Sequence, residues 1–404
     1  NFAGKIRKVM NEGKYVFAQI ASYIPRFQFD RIVDKYRGNY RAHELTCYNQ
    51  FLHLLFGQIA PCNSLRDICL CLEAHKNILY HMGFGNTVDS TSLSRANERR
   101  DYRIYEEFGY YLIKLVKPYY RNTKLPDVDA DNALFALDST TISTSIKLAT
   151  WALGKYGKGA VKMHTLIDLR DSIPTQIHIT DGRWHDSNML DLLPIDVNAI
   201  YTADKASVDF RAMWTVHLAG AYFVMRPKDN MRYTIVETLS EGTRGSTICG
   251  DYAIRVTTYK AKHDYPADMR LVRAIDTESG EIIDFITNNF EISALDIANI
   301  YRHRWDIEVF FKWIKQNIVV KTLWGYSENA VKTHLWSAIC AYLLLALIKA
   351  KTQSKYTITE VAMLLSASVF EKTDLTELLT HPNDRLVSLL SNQNVKDQQL
   401  SIIF

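Results

Sequence analysis

The sequence predicts an α/β chain: a mixed sheet with flanking helices, interrupted by a β-rich insertion and preceded by an all-α N-terminal region. Three observations carry this. Residues 46–122 repeat apolar positions at helical spacing. Apolar runs of strand length recur between residues 133 and 204, two of them closing on an aspartate. Alternating strand-like segments then fill residues 221–289, ahead of a long amphipathic stretch. With 404 residues the chain exceeds one ordinary domain, and 47% hydrophobic content is ample for a sizeable core.

The net charge is only +4, but residues 1–45 hold nine Lys or Arg against four Asp or Glu. Cations and rings interleave from Pro25 to Arg31 and from Lys35 to Arg41. That pattern suits contact with nucleic acid, and equally an ordinary helical surface with buried aromatics. Phe51–Ile59, Leu65–Leu72 and Tyr105–Val116 read as helices. Between them, the segment from Asp89 to Arg100 opens on capping residues and ends in cations, a pattern shared by groove-reading helices and, more often, by packed ones. Six cysteines show neither C-x-x-C spacing nor a paired Cys/His ligand set, so Cys69, Cys71 and His75 read as core and the compartment as reducing.

The run Ala133–Leu137 reads as a buried strand ending at Asp138, where Ser139, Thr140 and Thr141 break it. Strands Val161–Leu169 and Ile173–Thr180 follow, then a loop from Asp181 to Asp186, a short helix from Ser187 to Leu193, and a strand Ala199–Ala203 closing on Asp204. His185 and Asp186 suit proton transfer or loop capping. Gly154–Gly159 is a basic glycine-rich loop without the spacing of a nucleotide-phosphate loop. The insertion carries strands Tyr222–Met225, Tyr233–Glu237, Tyr252–Tyr259, Met269–Ile275 and Ile282–Thr287, with a turn at Glu278–Glu281.

Ser293 and Asp296 mark a helix start near Ala294. Beyond it Tyr301, Arg304, Glu308 and Lys315 are spaced Y-x2-R-x3-E-x6-K. At about 100° per residue these four and Lys312 share about a quarter of a helix circumference. Ile300, Ile307, Phe310, Phe311 and Ile314 form a separate apolar stripe beside them. Alone, that spacing also describes a solvated face with i,i+4 ion pairs. Joined to Asp138 and Asp204, Glu308 completes a set of three carboxylates, the oxygen donors that hard divalent cations prefer. Leu335–Ile348 is apolar over roughly fourteen residues, too short to span a bilayer, and reads as a buried helix.

These motifs resemble the DDE transposases of bacterial insertion sequences, in the branch defined by the Tyr-Arg-Glu-Lys helix, the fourth insertion-sequence family. Leu137–Thr141, Thr180–Gly182 with His185 and Asp186, and Ala203–Lys205 share in the resemblance, which runs from about Met10 to beyond Ile348. It implies an RNase H-like catalytic core with Asp138, Asp204 and Glu308 as ligands of two Mg2+ ions, Mn2+ being an alternative. Arg304, Lys315 and, secondarily, Lys312 would meet DNA phosphates, Tyr301 a phosphate or displaced base, and Arg226 the DNA beside the first insertion strand. The implied domains are a helical DNA-binding domain (1–125), the core's first part (130–215), the insertion (216–290), the core's second part (291–350) and a helical C-terminal region (351–404). The implied activity is binding of terminal inverted repeats followed by metal-dependent cleavage and strand transfer. The implied partners are double-stranded DNA, as transposon ends and target, and a second copy of the chain in a synaptic homodimer. The implied place is the bacterial cytoplasm, at the nucleoid. One departure stands out: where the family has glycine and an aromatic after the second aspartate, this chain has Ala206 and Ser207. Two other readings stay open on sequence, a nuclease without strand transfer and a catalytically silent DNA-binding derivative.

Overall fold

The computed structural model describes residues 13–382 apart from 61, 121–124, 126, 145–150, 153–158, 171–172, 185–193, 206–208, 243–245, 277–279 and 318–322. The expected helix at Ser187–Leu193, Gly154–Lys158 of the glycine-rich loop, His185, Asp186 and Ser207 therefore lie outside the described residues. By contact the chain divides into two units: Tyr120–Phe311, and Asn1–Tyr119 taken together with Lys312–Phe404.

Among the described residues the helical unit starts with α1 (Val16–Ala21), α2 (Arg26–Lys35), α3 (Cys47–Ile59), α4 (Leu65–Ala74), α5 (Leu79–Met82), α6 (Ser90–Arg99) and α7 (Arg103–Val116). Side-chain caps fix several starts: Thr46, Ser64 and Asp89 accept hydrogen bonds from the amides of Asn49, Asp67 and Ser92. A long C-terminal helix, Glu328–Thr352, packs against α3, α6 and α7. The sequence grouped Leu335–Ile348 with the catalytic core; by contact it joins the N-terminal helices instead. It is apolar on every side, so it needs helices around it, and its most apolar window is 94% buried. Gly109 on α7 allows the close approach, since a Cβ there would lie 2.9 Å from the Trp336 ring.

The α/β unit is built on one nine-stranded sheet of order β3-β2-β1-β4-β5-β9-β8-β7-β6. Its strands are β1 (Leu134–Thr144), β2 (Gly159–Asp168), β3 (Ile173–Asp181), β4 (Ile200–Ala203), β5 (Tyr222–Met225), β6 (Tyr233–Glu241), β7 (Ile248–Val256), β8 (Met269–Ile275) and β9 (Ile282–Thr287). The first three pair antiparallel, β1, β4 and β5 run parallel, and β9, β8, β7 and β6 continue antiparallel from β5. The strands of the β-rich segment thus extend the same sheet: β9 covers the edge that β5 would otherwise leave open. Apolar side chains of β4, β5, β7 and β8, including Tyr201, Phe223, Ile254 and Leu271, share one core with Met213 and Val216 of α8 (Phe210–Leu218) and with Tyr265, which follows α9 (Tyr259–Asp264).

One buried ion pair ties this sheet to the segment that follows it. Arg270 on β8 donates to both oxygens of Asp251 on β7, at 2.9 and 2.7 Å, and to the carbonyls of Asn289 and Ile292, at 3.2 and 2.7 Å. Both side chains are only 7% exposed. Breaking such a pair strands a charge in low dielectric, whereas removing both partners relieves most of that cost. Arg270→Met is therefore expected to destabilise the chain by about 3–5 kcal/mol. Adding Asp251→Leu should recover at least half, the remainder being the two orphaned carbonyls. Denaturant midpoints of the two variants check this; a single variant within about 1 kcal/mol of wild type would contradict it.

Candidate active site

The parallel register sets the site. Leu137 pairs with Ala203 and Ala203 with Met225, so the next residue on each strand is Asp138, Asp204 and Arg226 in turn. Two carboxylates and a guanidinium thus stand in one row across three parallel strands. In open α/β sheets that carboxyl end is where ligands bind. β1 does not stop at Asp138 as the sequence suggested. It runs on to Thr144 against β2, because Ser and Thr serve an antiparallel ladder well, and only its pairing with β4 ends there. Asp138 and Asp204 each accept a 2.7 Å hydrogen bond from the following amide, Ser139 and Lys205 respectively. Lys205 in turn pairs with Asp229.

The third carboxylate comes from the helical stretch, which is not one helix. Helix α10 (Ala294–His303) begins where Ser293 caps the Asp296 amide at 3.0 Å, as the sequence indicated, and α11 spans Asp306–Asn317. Between them the amides of Arg304, Trp305, Ile307 and Glu308 bond to the residues three before them, Tyr301, Arg302, Arg304 and Trp305, at 2.9–3.2 Å. This is the tighter 3-10 pattern. No glycine or proline marks the joint, so the helical period of the sequence passes through it unbroken. Tyr301 consequently belongs to α10, Glu308 to α11, and Arg304 to the joint.

Arg304 connects the parts. Its guanidinium is 3.6 Å from Asp138 and 3.2 Å from Glu308, with 8% of its side chain exposed. It also lies against the Tyr301 ring, 5.6 Å from the centroid. Burial pushes the Asp138 carboxyl up to about 6; the Ser139 amide and Arg304 oppose this, and the charges of Asp204 and Glu308 add to it. Burial also raises the Tyr301 phenol, whose electrostatic neighbours include Arg304, Asp204 and Arg226. The carboxylates on β1 and α11, Asp204 and the side chains of Arg304, Tyr301 and Arg226 therefore form one interacting set. Lys312 is exposed further along α11; Lys315 lies on the same helix, its side chain outside the described residues.

The donor set suits a divalent cation: three carboxylates that repel one another, Asp138 among them with its carboxyl raised by burial. Among the described residues no three carboxylates, imidazoles or thiols are close enough to hold one ion as they stand. Arg304 supplies the neutralising charge between Asp138 and Glu308. Asp127 and His303 lie beside this set without a motif in the sequence to mark them. Trp305 is 60% exposed beside Arg304, and its only sequence signal was its place within the motif.

Comparison with known proteins settles the class. The family described as the transposase DDE domain matches residues 129–344, just over half of the chain, and a domain of unknown function, DUF4372, matches residues 12–85. The chain belongs to the DDE transposase family. It is a DNA transposase of the bacterial insertion-sequence type, an enzyme of DNA cleavage and strand transfer whose family chemistry depends on divalent metal. A protein of Sinorhizobium fredii (strain NBRC 101917 / NGR234) named as transposase y4zB is 29% identical over 72% of this chain and 80% of its own length. Proteins named as the transposases of element IS5377 of Geobacillus stearothermophilus and element IS4SA of Synechocystis sp. (strain ATCC 27184 / PCC 6803 / Kazusa) are 29% and 27% identical. They cover 55% and 71% of this chain, and 58% and 80% of the relatives themselves. Among solved structures, a cryo-EM structure of the piggyBac transposase synaptic complex with hairpin DNA aligns at a TM-score of 0.41 and 12% identity, over 93% of this chain and 82% of that one.

The charge cluster costs stability in a pH-dependent way. Because the folded state raises Asp138 to about 6, it binds that proton more tightly than the unfolded chain does. The associated stability is full below about pH 4 and lost as pH rises through 6. With metal chelated, Asp138→Asn should therefore be more stable than wild type by roughly 3 kcal/mol at pH 8, with little difference at pH 4. Thermal midpoints at the two pH values test it; an Asn variant no more stable at pH 8 would remove Asp138 from the strained cluster.

Proposed function

We propose that the catalytic centre of this transposase is the set Asp138, Asp204 and Glu308, held on an RNase H-like core formed by β1 to β5 and α11. The observation that carries this is the register that stands Asp138 beside Asp204 and Arg226, with Arg304 bridging Asp138 to Glu308. Two divalent cations, Mg2+ or Mn2+, would be held by these carboxylates and would supply Lewis-acid activation of a water or 3′-hydroxyl and of the leaving oxygen.

The protein's own residues do the rest. The carboxylates fix where the scissile phosphate lies, and the low exposure of Asp138 and Arg304 keeps their charges weakly screened. Arg304, permanently charged and anchored by its neighbours, meets a phosphate oxygen beside them. Arg226, in the same row, contacts the adjoining phosphate, and Lys312 and Lys315 follow the backbone along α11. Tyr301, its ring against Arg304, offers its edge to a displaced base or its hydroxyl to a phosphate. The double-stranded substrate is the element's terminal inverted repeats, brought together by two protomers and then joined to target DNA.

Asp138→Ala, Asp204→Ala and Glu308→Ala are each expected to lower Mg2+-dependent cleavage of a duplex carrying the element's end by about a thousandfold or more, and to leave binding of that duplex near wild type. Gel assays of cleavage, strand joining and binding with the three purified variants decide it. Cleavage surviving in any of them would remove that residue from the centre. A wild-type protein that cleaves without joining would point to the nuclease reading, and one that binds ends without cleaving in Mg2+ or Mn2+ to a silent protein.

A further inference from the structure

The joint between α10 and α11 carries the chemistry, yet its backbone does little to fix its angle. Hydrogen bonds of the three-residue pattern have poorer geometry than helical ones, and such interruptions act as hinges. A separate set of contacts holds this joint from outside. Asp127, in the segment leading into β1, places one carboxylate oxygen 2.6 Å from Nε2 of His303 and the other 2.8 Å from Nη2 of Arg302. Arg302 also donates to Asn299 at 2.5 Å, and Asn299 donates to the Asp127 carbonyl at 2.6 Å. The Asp129 amide donates to Asp296 at 2.9 Å. A strap of chain that becomes the Asp138 strand is thus bound along α10, up to the residue immediately before Arg304.

We propose that Asp127 is a positioning residue for the transposition chemistry: by gripping His303 at the joint it sets the angle at which Arg304 and Glu308 face Asp138. The two chain segments that deliver opposite walls of the site are β1 and α11, and the strap links the approach to each. Only 20% of the His303 side chain is exposed, so its ring has little freedom once Asp127 holds Nε2. Burial pushes the Asp127 carboxyl up, but His303 and Arg302 outweigh it and the carboxyl stays below its ordinary value, a favourable interaction in the folded state. The grip depends on a hydrogen-bond donor at the position of Nε2. A glutamine amide can supply that donor; a leucine cannot.

The inference rests on the reading of Asp138, Asp204 and Glu308 as a cation site, and a titration of the full chain with Mn2+ alone, followed by electron paramagnetic resonance at 10 °C, separates the two. Asp138→Ala should abolish the Mn2+ site of the wild type. Asp127→Ala and His303→Leu should each weaken Mn2+ binding about tenfold, the double variant no further than either single, and His303→Gln should stay within about twofold of wild type. Thermal midpoints are recorded for all, and should Asp127→Ala not fold, His303→Leu against His303→Gln carries the test. Unchanged Mn2+ affinity in Asp127→Ala, additive losses in the double variant, or a His303→Gln as weak as His303→Leu overturns the positioning role while leaving the cation site standing. A wild type whose Mn2+ binding is absent or survives Asp138→Ala overturns the site reading, and the strap then has nothing to position.

Discussion

Three acidic side chains gathered at the carboxyl end of the parallel strands repel one another, and the fold must hold them together before any substrate or cation arrives. The parallel pairing of β1 with β4 leaves no choice about Asp138 and Asp204, which follow the last paired residues on neighbouring strands. Arg304 answers that charge. Its side chain is buried, its charge cannot be titrated away, and it reaches both Asp138 and Glu308. Much of the rest of the α/β unit serves this arrangement: the apolar runs of β1, β4 and β5 fix the register, α10 carries the chain back across the sheet, and the Arg270–Asp251 pair secures the start of that return.

The insertion strands gain meaning from the same constraint. A short strand such as β5 at a sheet edge would leave Arg226 on a margin open to exchange and misregister. With β9 paired beside it, and three further strands beyond, the row holding Asp138, Asp204 and Arg226 lies in the interior of the sheet. The margin moves out to β6, whose residues are mostly exposed and carry no part of the row.

Much of this was legible in the residues because buried parallel strands are written as unbroken apolar runs, and both aspartates stand where such runs stop. Strands β5, β8 and β9 occupy the ranges their composition indicates. Other features resist such reading for definite reasons. Ser139, Thr140 and Thr141 look like a strand break because their polarity suits one, yet a partner strand keeps them extended. The joint at Arg304 and Trp305 leaves no trace, since the apolar period continues across it and only hydrogen bonding changes. Asp127 lies in a polar connecting stretch, and nothing local distinguishes it from Asp129 or Asp131; its role arises from a partner more than 170 residues away. The grouping of the Glu328–Thr352 helix with the N-terminal helices is likewise a matter of which surfaces meet, not of local pattern.

That last grouping bears on how the protein is made. The core of the helical unit includes Trp336 and Cys340, against α7, on a helix separated from α7 by the entire α/β unit. During synthesis the N-terminal helices emerge first and wait, with apolar faces uncovered, while the ribosome produces the sheet; at rates of about 5–20 residues per second this lasts for ten seconds or more. The α/β unit can close on itself as it appears, whereas the helical unit closes only when the long helix arrives. A chain cut short within or before that helix would carry a finished sheet and a set of helices that lack their centre.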